Sequence, residues 1–300
     1  VNHSVSRDQN AHHHPVSFTK PIDKSSPLLA MAIDGNELLE AFYEIKLTGA
    51  MEKMGWQMAP KLMRHWFNTK PAYSFTEKIK TEYFRGRAID IPNERVNDSI
   101  IKMEWAIKYK QPKDVMSVLI NGWASSAGID QLKLQLEKEG GKEILGYEKD
   151  IREIDTFSAV NVRQFGSKFD TVDDWYGAMG NSNMKVAVKG HVDKLNSKDV
   201  FVTEQIGMYL KDTYDFVGAN EPLGIWSKDG ILDKVSSVDY ASLYATGSWM
   251  ALWIKYNGYV PVINDSFRKW QKKHNEGGDF IVFSDILWME PLPQHRVIQL

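Results

Sequence analysis

Apolar residues recur at helical spacing through the first half of the chain and at every second position through part of the second half, so two structural regimes are predicted. Asp34 with Glu37 three residues on has the form of a capping box, and Leu38, Leu39, Phe42 and Ile45 continue it at helical spacing, with Gly49 as the expected end. A second helix is expected from Pro60, a residue suited to a first turn, along the stripe Leu62, Met63, Trp66 and Phe67 as far as Asn68 and Pro71. Met51, Met54, Trp56 and Met58 fall between the two and read as core rather than as an adaptable partner surface. Further helices are predicted around Ile100, Ile101, Trp105 and Ile107, and around Ile129, Leu132, Leu134 and Leu136, the last ending at Gly140 and Gly141.

From Met184 the period becomes two. Residues 184–192 alternate apolar with polar, and 200–210 can pair with them across a connector at residues 196–199. Residues 249–262 and 279–286 read as further strands, with a short helix over 265–273 between them. The expected fold class is therefore α+β: a helical region over 28–145 packed on a β-rich, mainly antiparallel region over 146–300. Residues 1–27, with three prolines and the run His12, His13 and His14, hold too little apolar surface to offset ordering entropy and read as a flexible tail or linker.

Composition narrows the function. Lysine and arginine number 37 against 39 aspartates and glutamates, a net charge of -2, which supplies no surplus for neutralising nucleic-acid phosphates. The absence of cysteine removes disulfides, thiolate zinc sites and cysteine nucleophiles. The most apolar stretch, 249–263, is interrupted by Lys255, Asn257, Gly258 and Pro261, so no membrane-spanning segment is expected, and no conventional secretory signal opens the sequence.

Candidate chemistry gathers at two places. Residues 211–216 close a strand ahead of a loop, and Asp212 and Asp215 meet only if the chain turns at Tyr214. Two such carboxylates can share a magnesium ion or do acid–base work, or they can simply cap backbone amides in a turn. The second place is Gly277, Gly278 and Asp279 with Asp285 beyond them, where the acids could complete a metal site, or where the glycines merely end a helix and start a strand. Arg268 and His274 stand just before the glycines and could hold a phosphate oxygen and relay a proton; His295 and Arg296 are a second such pair. His65 reads as a core or boundary residue. Asp173 and Asp174 beside Trp175 and Tyr176 suit sugar rings, although adjacent acids would point apart.

Five blocks carry a resemblance: MEKMGWQMAPKLMRHWF at 51–67, DDWYGAMG at 173–180, DTYDF at 212–216, FRKW at 267–270 and GGDFIVFSD at 277–285. Together they resemble a bacterial domain family of unknown function whose members resemble cargo of type VI secretion loci. That resemblance implies a protein made in the bacterial cytoplasm, delivered by a secretion spike or carrier protein and restrained by a cognate immunity protein. The signature Asp212, Tyr214, Asp215 is also similar to the toxin domain of colicin M-like bacteriocins, which implies magnesium-dependent phosphodiester cleavage of a lipid-linked peptidoglycan precursor in the target-cell periplasm. In that family a His-Arg pair follows the second aspartate, whereas this chain has Asn220, Glu221 and Pro222 there, leaving Arg268 with His274, or His295 with Arg296, to supply it. The expected activity is that of an antibacterial envelope-acting effector. The competing expectation is a non-enzymatic adaptor or envelope-binding module, which ten tryptophans and twelve tyrosines would equally serve. A pore-former is disfavoured because no apolar hairpin is long enough to span a bilayer.

Overall fold

A computed structural model describes residues 46–167 and 170–300. The capping box at Asp34 and Glu37, most of the helix expected after it and the tail with its histidines lie outside the described residues. The first half supplies helices α1 (Lys46–Lys53), α2 (Met58–Asn68) and α3 (Glu77–Arg85), strand β1 (Val96–Asn97), helices α4 (Met103–Ala106), α5 (Lys110–Gly122) and α6 (Ser126–Glu137), and strand β2 (Ile144–Leu145). The second half opens with α7 (Ile151–Phe157), β3 (Ala159–Phe165) and α8 (Asp174–Ala178), then the hairpin of β4 (Ser182–Leu195) and β5 (Lys198–Tyr214). It continues through β6 (Pro222–Ser227), β7 (Gly230–Ile231), α9 (Lys234–Ala245), α10 (Trp249–Tyr256), β8 (Val260–Ile263), α11 (Asn264–His274), β9 (Phe280–Phe283), β10 (Leu287–Met289) and β11 (Val297–Gln299). The fold is α+β, with a large, mainly antiparallel sheet.

Strand β5 organises that sheet. One edge pairs with β4 along the whole hairpin, and the other is occupied in succession by β11, β10 and β9. The hairpin closes more tightly than the sequence suggests: Leu195 pairs with Lys198 across Asn196 and Ser197, whose φ values of 50° and 65° match the right-handed strand twist. The first half is stitched into the same sheet, since β1 pairs with β9 in parallel and β2 with β4 antiparallel. Both halves share one core in which Leu47, Trp66 and Trp123 meet Trp175, Met208, Trp270 and Ile298. A second, three-stranded sheet in the order β7, β6, β8 stands apart.

Three expectations need correction. The first helix passes through Gly49 and ends at Lys53, and the glycine that terminates it is Gly55, at φ +79°. Ile100 and Ile101 precede the short α4 instead of belonging to it. Residues 249–262 are not one strand: Trp249–Tyr256 is helical and only Val260–Ile263 is extended, with Gly258 in the turn. A nearly uninterrupted apolar run shows no period, so nothing in it separates helix from strand.

Candidate active site and its ionic support

Antiparallel pairing of β5 with β9 sets Tyr214 against Phe280, and continuing that register by one residue brings Asp215 opposite Asp279. The strand pairing therefore gathers the two acidic places that the sequence keeps 64 positions apart. Asp215 Oδ1 accepts from Lys80 Nζ of α3 at 2.8 Å and from Val217 N at 3.0 Å, so the chain turns just after Tyr214. Both side chains of this pair are 3% exposed. Burial works against the Asp215 carboxylate, but the Lys80 ammonium beside it holds its pKa below the usual carboxylate range.

Asp279 is still more deeply placed. Its Oδ1 accepts from Trp66 Nε1 at 2.9 Å and Arg268 Nη1 at 3.0 Å, and its Oδ2 from Phe75 N at 2.8 Å and Arg268 Nη2 at 2.5 Å. Burial, aided by the Asp215 charge, pushes the Asp279 carboxyl up against the pull of the guanidinium and the indole N–H. The bend that delivers it depends on Gly277, at φ +90°, where an added Cβ would lie 2.6 Å from the Trp66 ring. Lys80, Asp215, Asp279 and Arg268 thus form two opposed ion pairs of zero net charge.

Arg268 has a second role. It lies with Gln271, Lys272 and Asn275 at positions i, i+3, i+4 and i+7, one face of α11 and its C-terminal cap, and that face lines an open cleft of about 430 Å³ together with Ala72 and Ser74. Arg268 Nη1 donates to Ser74 Oγ at 3.1 Å and Nε to the Phe216 carbonyl at 3.2 Å. Gln271, buried, fixes the cleft floor by donating to the carbonyls of Tyr73 and Gly277 at 2.9 and 2.7 Å. Among the described residues no acid lines this cleft, whose outer groups are an ammonium, a hydroxyl and amides.

The remaining predicted residues make other contacts. Asp212 is buried and its Oδ1 accepts from Thr213 N at 2.8 Å, while Tyr214 stacks on Phe280 at 5.1 Å. Asp285 lies beyond β9, where Oδ1 accepts from Met103 N at 2.7 Å and caps α4. The His274 ring stacks on Trp270 at 4.7 Å, off the cleft face of α11. His295 packs on Trp123, and the Arg296 carbonyl accepts from Thr203 N, nine residues back from Asp212 and so about 30 Å away along β5. Among the described residues no three acidic or histidine side chains converge to hold a metal ion. Asp215 and Asp279 are engaged by Lys80 and Arg268, and Asp285 by the Met103 N–H.

Asp173 and Asp174 have separate structural duties: Asp173 Oδ1 accepts from Tyr176 N and caps α8, while Asp174 accepts from Gln57, Met58 and Ala59 N and caps α2 across more than a hundred residues. Lys80 escapes sequence reasoning, although its spacing four residues from Phe84 places a lysine on a buried helix face. Lys272 and Asn275 escape because a charged helix reads as solvated.

Neither the curated proteins nor the solved structures offer a match to this chain. A family model does, over residues 44–299, covering every group of the network and the cleft. The chain therefore belongs to the family of unknown function DUF6402.

Proposed function

We propose that this chain is the active region of an antibacterial effector whose Arg268 cleft takes a phosphate-bearing ligand of the cell envelope. The single observation that carries the reading is the double engagement of Arg268, anchored by Asp279 on the inside and lining, with Lys272, Ser74 and Asn275, a cleft that no acid among the described residues lines on the outside. A guanidinium fixed in this way is preorganised, and an exposed lysine beside it adds a point charge that a phosphate oxygen can approach. The similarity of the five sequence blocks to secreted cargo, and of Asp212, Tyr214 and Asp215 to colicin M-like toxins, supports a lipid-linked peptidoglycan precursor as that ligand. Delivery by a spike or carrier protein, a cognate immunity protein and action in the target-cell periplasm belong to the same reading.

Within it, Asp215 and Asp279 hold the cations in place and the chain's own positive groups meet the phosphate. A second reading, a non-enzymatic envelope-binding module, is favoured by the full commitment of those carboxylates to ion pairs. Replacing Asp215 cannot test either reading cleanly, because it strands Lys80 in the interior. Lys272→Glu is the better probe, since Lys272 is exposed and its loss leaves the network intact. Expression behind a periplasmic signal should arrest growth, cytoplasmic expression should not, and Lys272→Glu should abolish the arrest while the circular dichroism is unchanged. Release of pyrophosphate-containing product from purified precursor then separates enzyme from binder. Growth arrest untouched by Lys272→Glu would remove the cleft from the mechanism.

A further inference from the structure

Antiparallel pairing of β3, β4 and β5 gathers a polar group on one face of the large sheet. Gln164 lies opposite Asn183, and Lys185 opposite Tyr209. Continuing the β4–β5 register by one residue beyond Met184 and Leu210 sets Asn183 opposite Lys211. Gln164, Asn183 and Lys211 therefore form a row across three strands, with Lys185 and Tyr209 in the next row of the same face. Directly opposed Cβ atoms lie about 4.5–5.5 Å apart, so the short Asn183 side chain sits between the longer Gln164 and Lys211, with Lys185 two residues on.

The charges of this group do not balance. Asp155 of α7 is the partner of both lysines: its Oδ2 accepts from Lys211 Nζ at 2.9 Å, and Lys185 Nζ pairs with its Oδ1. Oδ1 also accepts from Tyr209 OH, and burial with the Asp155 charge raises the Tyr209 pKa, so the phenol stays neutral. Among the described residues no second carboxylate pairs with either lysine. The rings of Phe84 and Phe283 flank Lys211 Nζ at 5.6 and 5.5 Å and bring no charge. Two ammoniums thus share one carboxylate in the interior, where the Lys211 side chain is 1% exposed and that of Lys185 18%.

The same row holds two donors without acceptors. Asn183 Nδ2 and Gln164 Nε2 are buried and meet no hydrogen-bond partner among the described residues, and Asn183 is only 1% exposed. Buried amide N–H groups are nearly always hydrogen-bonded, so two orphans side by side, next to a surplus ammonium, call for an acceptor. A water serves the amides and leaves the charge, whereas an anion serves both. The surplus of one charge matches a monovalent ion, and the enclosure of Asn183 demands a small one.

We propose that Asn183, Gln164, Lys185 and Lys211 form a buried binding site for one small monovalent anion of chloride size, the counter-ion of the lysine that Asp155 leaves unmatched. The site shares no residue with the phosphate cleft, so the failure of either leaves the other in place.

The test is the melting temperature of the full chain at fixed sodium concentration as chloride replaces gluconate, an anion too large to enter. The wild type should rise with chloride and saturate, by about 3 °C at roughly ten times the dissociation constant. Lys185→Met removes the surplus charge and leaves Asp155 matched with Lys211, so its profile should be flat. Crystals of the wild type grown in bromide should show anomalous scattering within hydrogen-bond reach of Asn183 Nδ2, a readout that needs no variant. Equal melting temperatures in chloride and gluconate would overturn the proposal, as would a chloride response undiminished in Lys185→Met. A water without bromide signal beside Asn183, or its amide oxygen turned onto a lysine, would overturn it too.

Discussion

The large sheet and the α9–α10 hairpin depart from ordinary burial in opposite directions. Around β5 and β9 the chain buries charge: Lys80 with Asp215, Arg268 with Asp279, and, four residues back along the same face of β5, Lys211 and Lys185 with Asp155. On the hairpin it exposes valine, isoleucine, methionine and tryptophan. The buried charges find partners within the chain, drawn from α3, α7, α11 and β4, and so, apart from the one lysine that Asp155 leaves unmatched, they are an internal matter of the fold. The exposed apolar groups have no such compensation on α10, and so they point to something outside it. A rule broken and repaired inside the molecule reads as architecture, and a rule broken and left unrepaired reads as an interface.

The sharpest way to break this contrast is to remove one partner of a buried pair. Lys80→Met leaves Asp215 as an uncompensated buried carboxylate and should cost about 3–5 kcal/mol. The double variant Lys80→Met, Asp215→Leu should recover much of that loss, because two apolar groups of similar volume need no counter-charge. Urea denaturation of the three proteins checks this. A single variant as stable as the wild type would show that Asp215 does not depend on Lys80 and is free for another partner.

Acid provides the next largest effect, of a few kcal/mol. Although burial acts to raise it, Asp155 has a pKa held well below the usual carboxylate range by Lys185 and Lys211, and Asp215 is lowered by Lys80. A carboxyl depressed in the folded state adds stability that is fully present above its unfolded pKa of ~3.9 and is lost as the pH falls through the folded value. Stability from these two groups should therefore be level above about pH 5 and decline below about pH 4. In Asp155→Asn that part of the decline should shrink, which melting temperatures across the acid range would show. The hairpin's Asp239, lowered by Tyr256 and Lys255, and its capping Asp233, lowered by the Ser236 N–H, are exposed and screened by solvent, so their share of the decline should be small beside that of the buried pairs.

Much of the architecture is legible in the sequence, and the reasons are local. The β4–β5 hairpin announces itself by alternation and by Asn196 and Ser197, and α11 by its spacing and by the glycines beyond it. What is hidden depends on distance along the chain. Nothing near Lys80 names Asp215, 135 positions on, and nothing near Asp174 names the helix whose N-terminus it caps. The acidic places were visible as residue types, but their assembly into neutral ion pairs required the register of β5 with β9. The hairpin was hidden for the opposite reason, since an apolar run with almost no polar residues has no period to read.

That long-range cap gives a smaller effect. Asp174→Ala removes the acceptor of three backbone N–H groups at the start of α2 and should cost about 1–2 kcal/mol. Asp174→Asn, which keeps an acceptor oxygen, should cost less. Equal losses in both, measured by denaturation, would mean that the charge and not the cap is what α2 needs.

The smallest expected effect is on the hairpin, and its size is the point. Ile254 is 69% exposed, so Ile254→Ser removes little packing and should change stability by no more than ~0.5 kcal/mol. The buried counterpart Val262→Ser, on the strand that follows the hairpin, should cost several times as much, since Val262 is 0% exposed and packs in the core. If Ile254→Ser proves as costly as Val262→Ser, the hairpin face is already covered within the chain. The contrast between a self-compensated sheet and an outward-facing hairpin would then collapse. If it is nearly free, the apolar groups of α10 are held at the surface without contributing to folding, and their chemistry is available for docking.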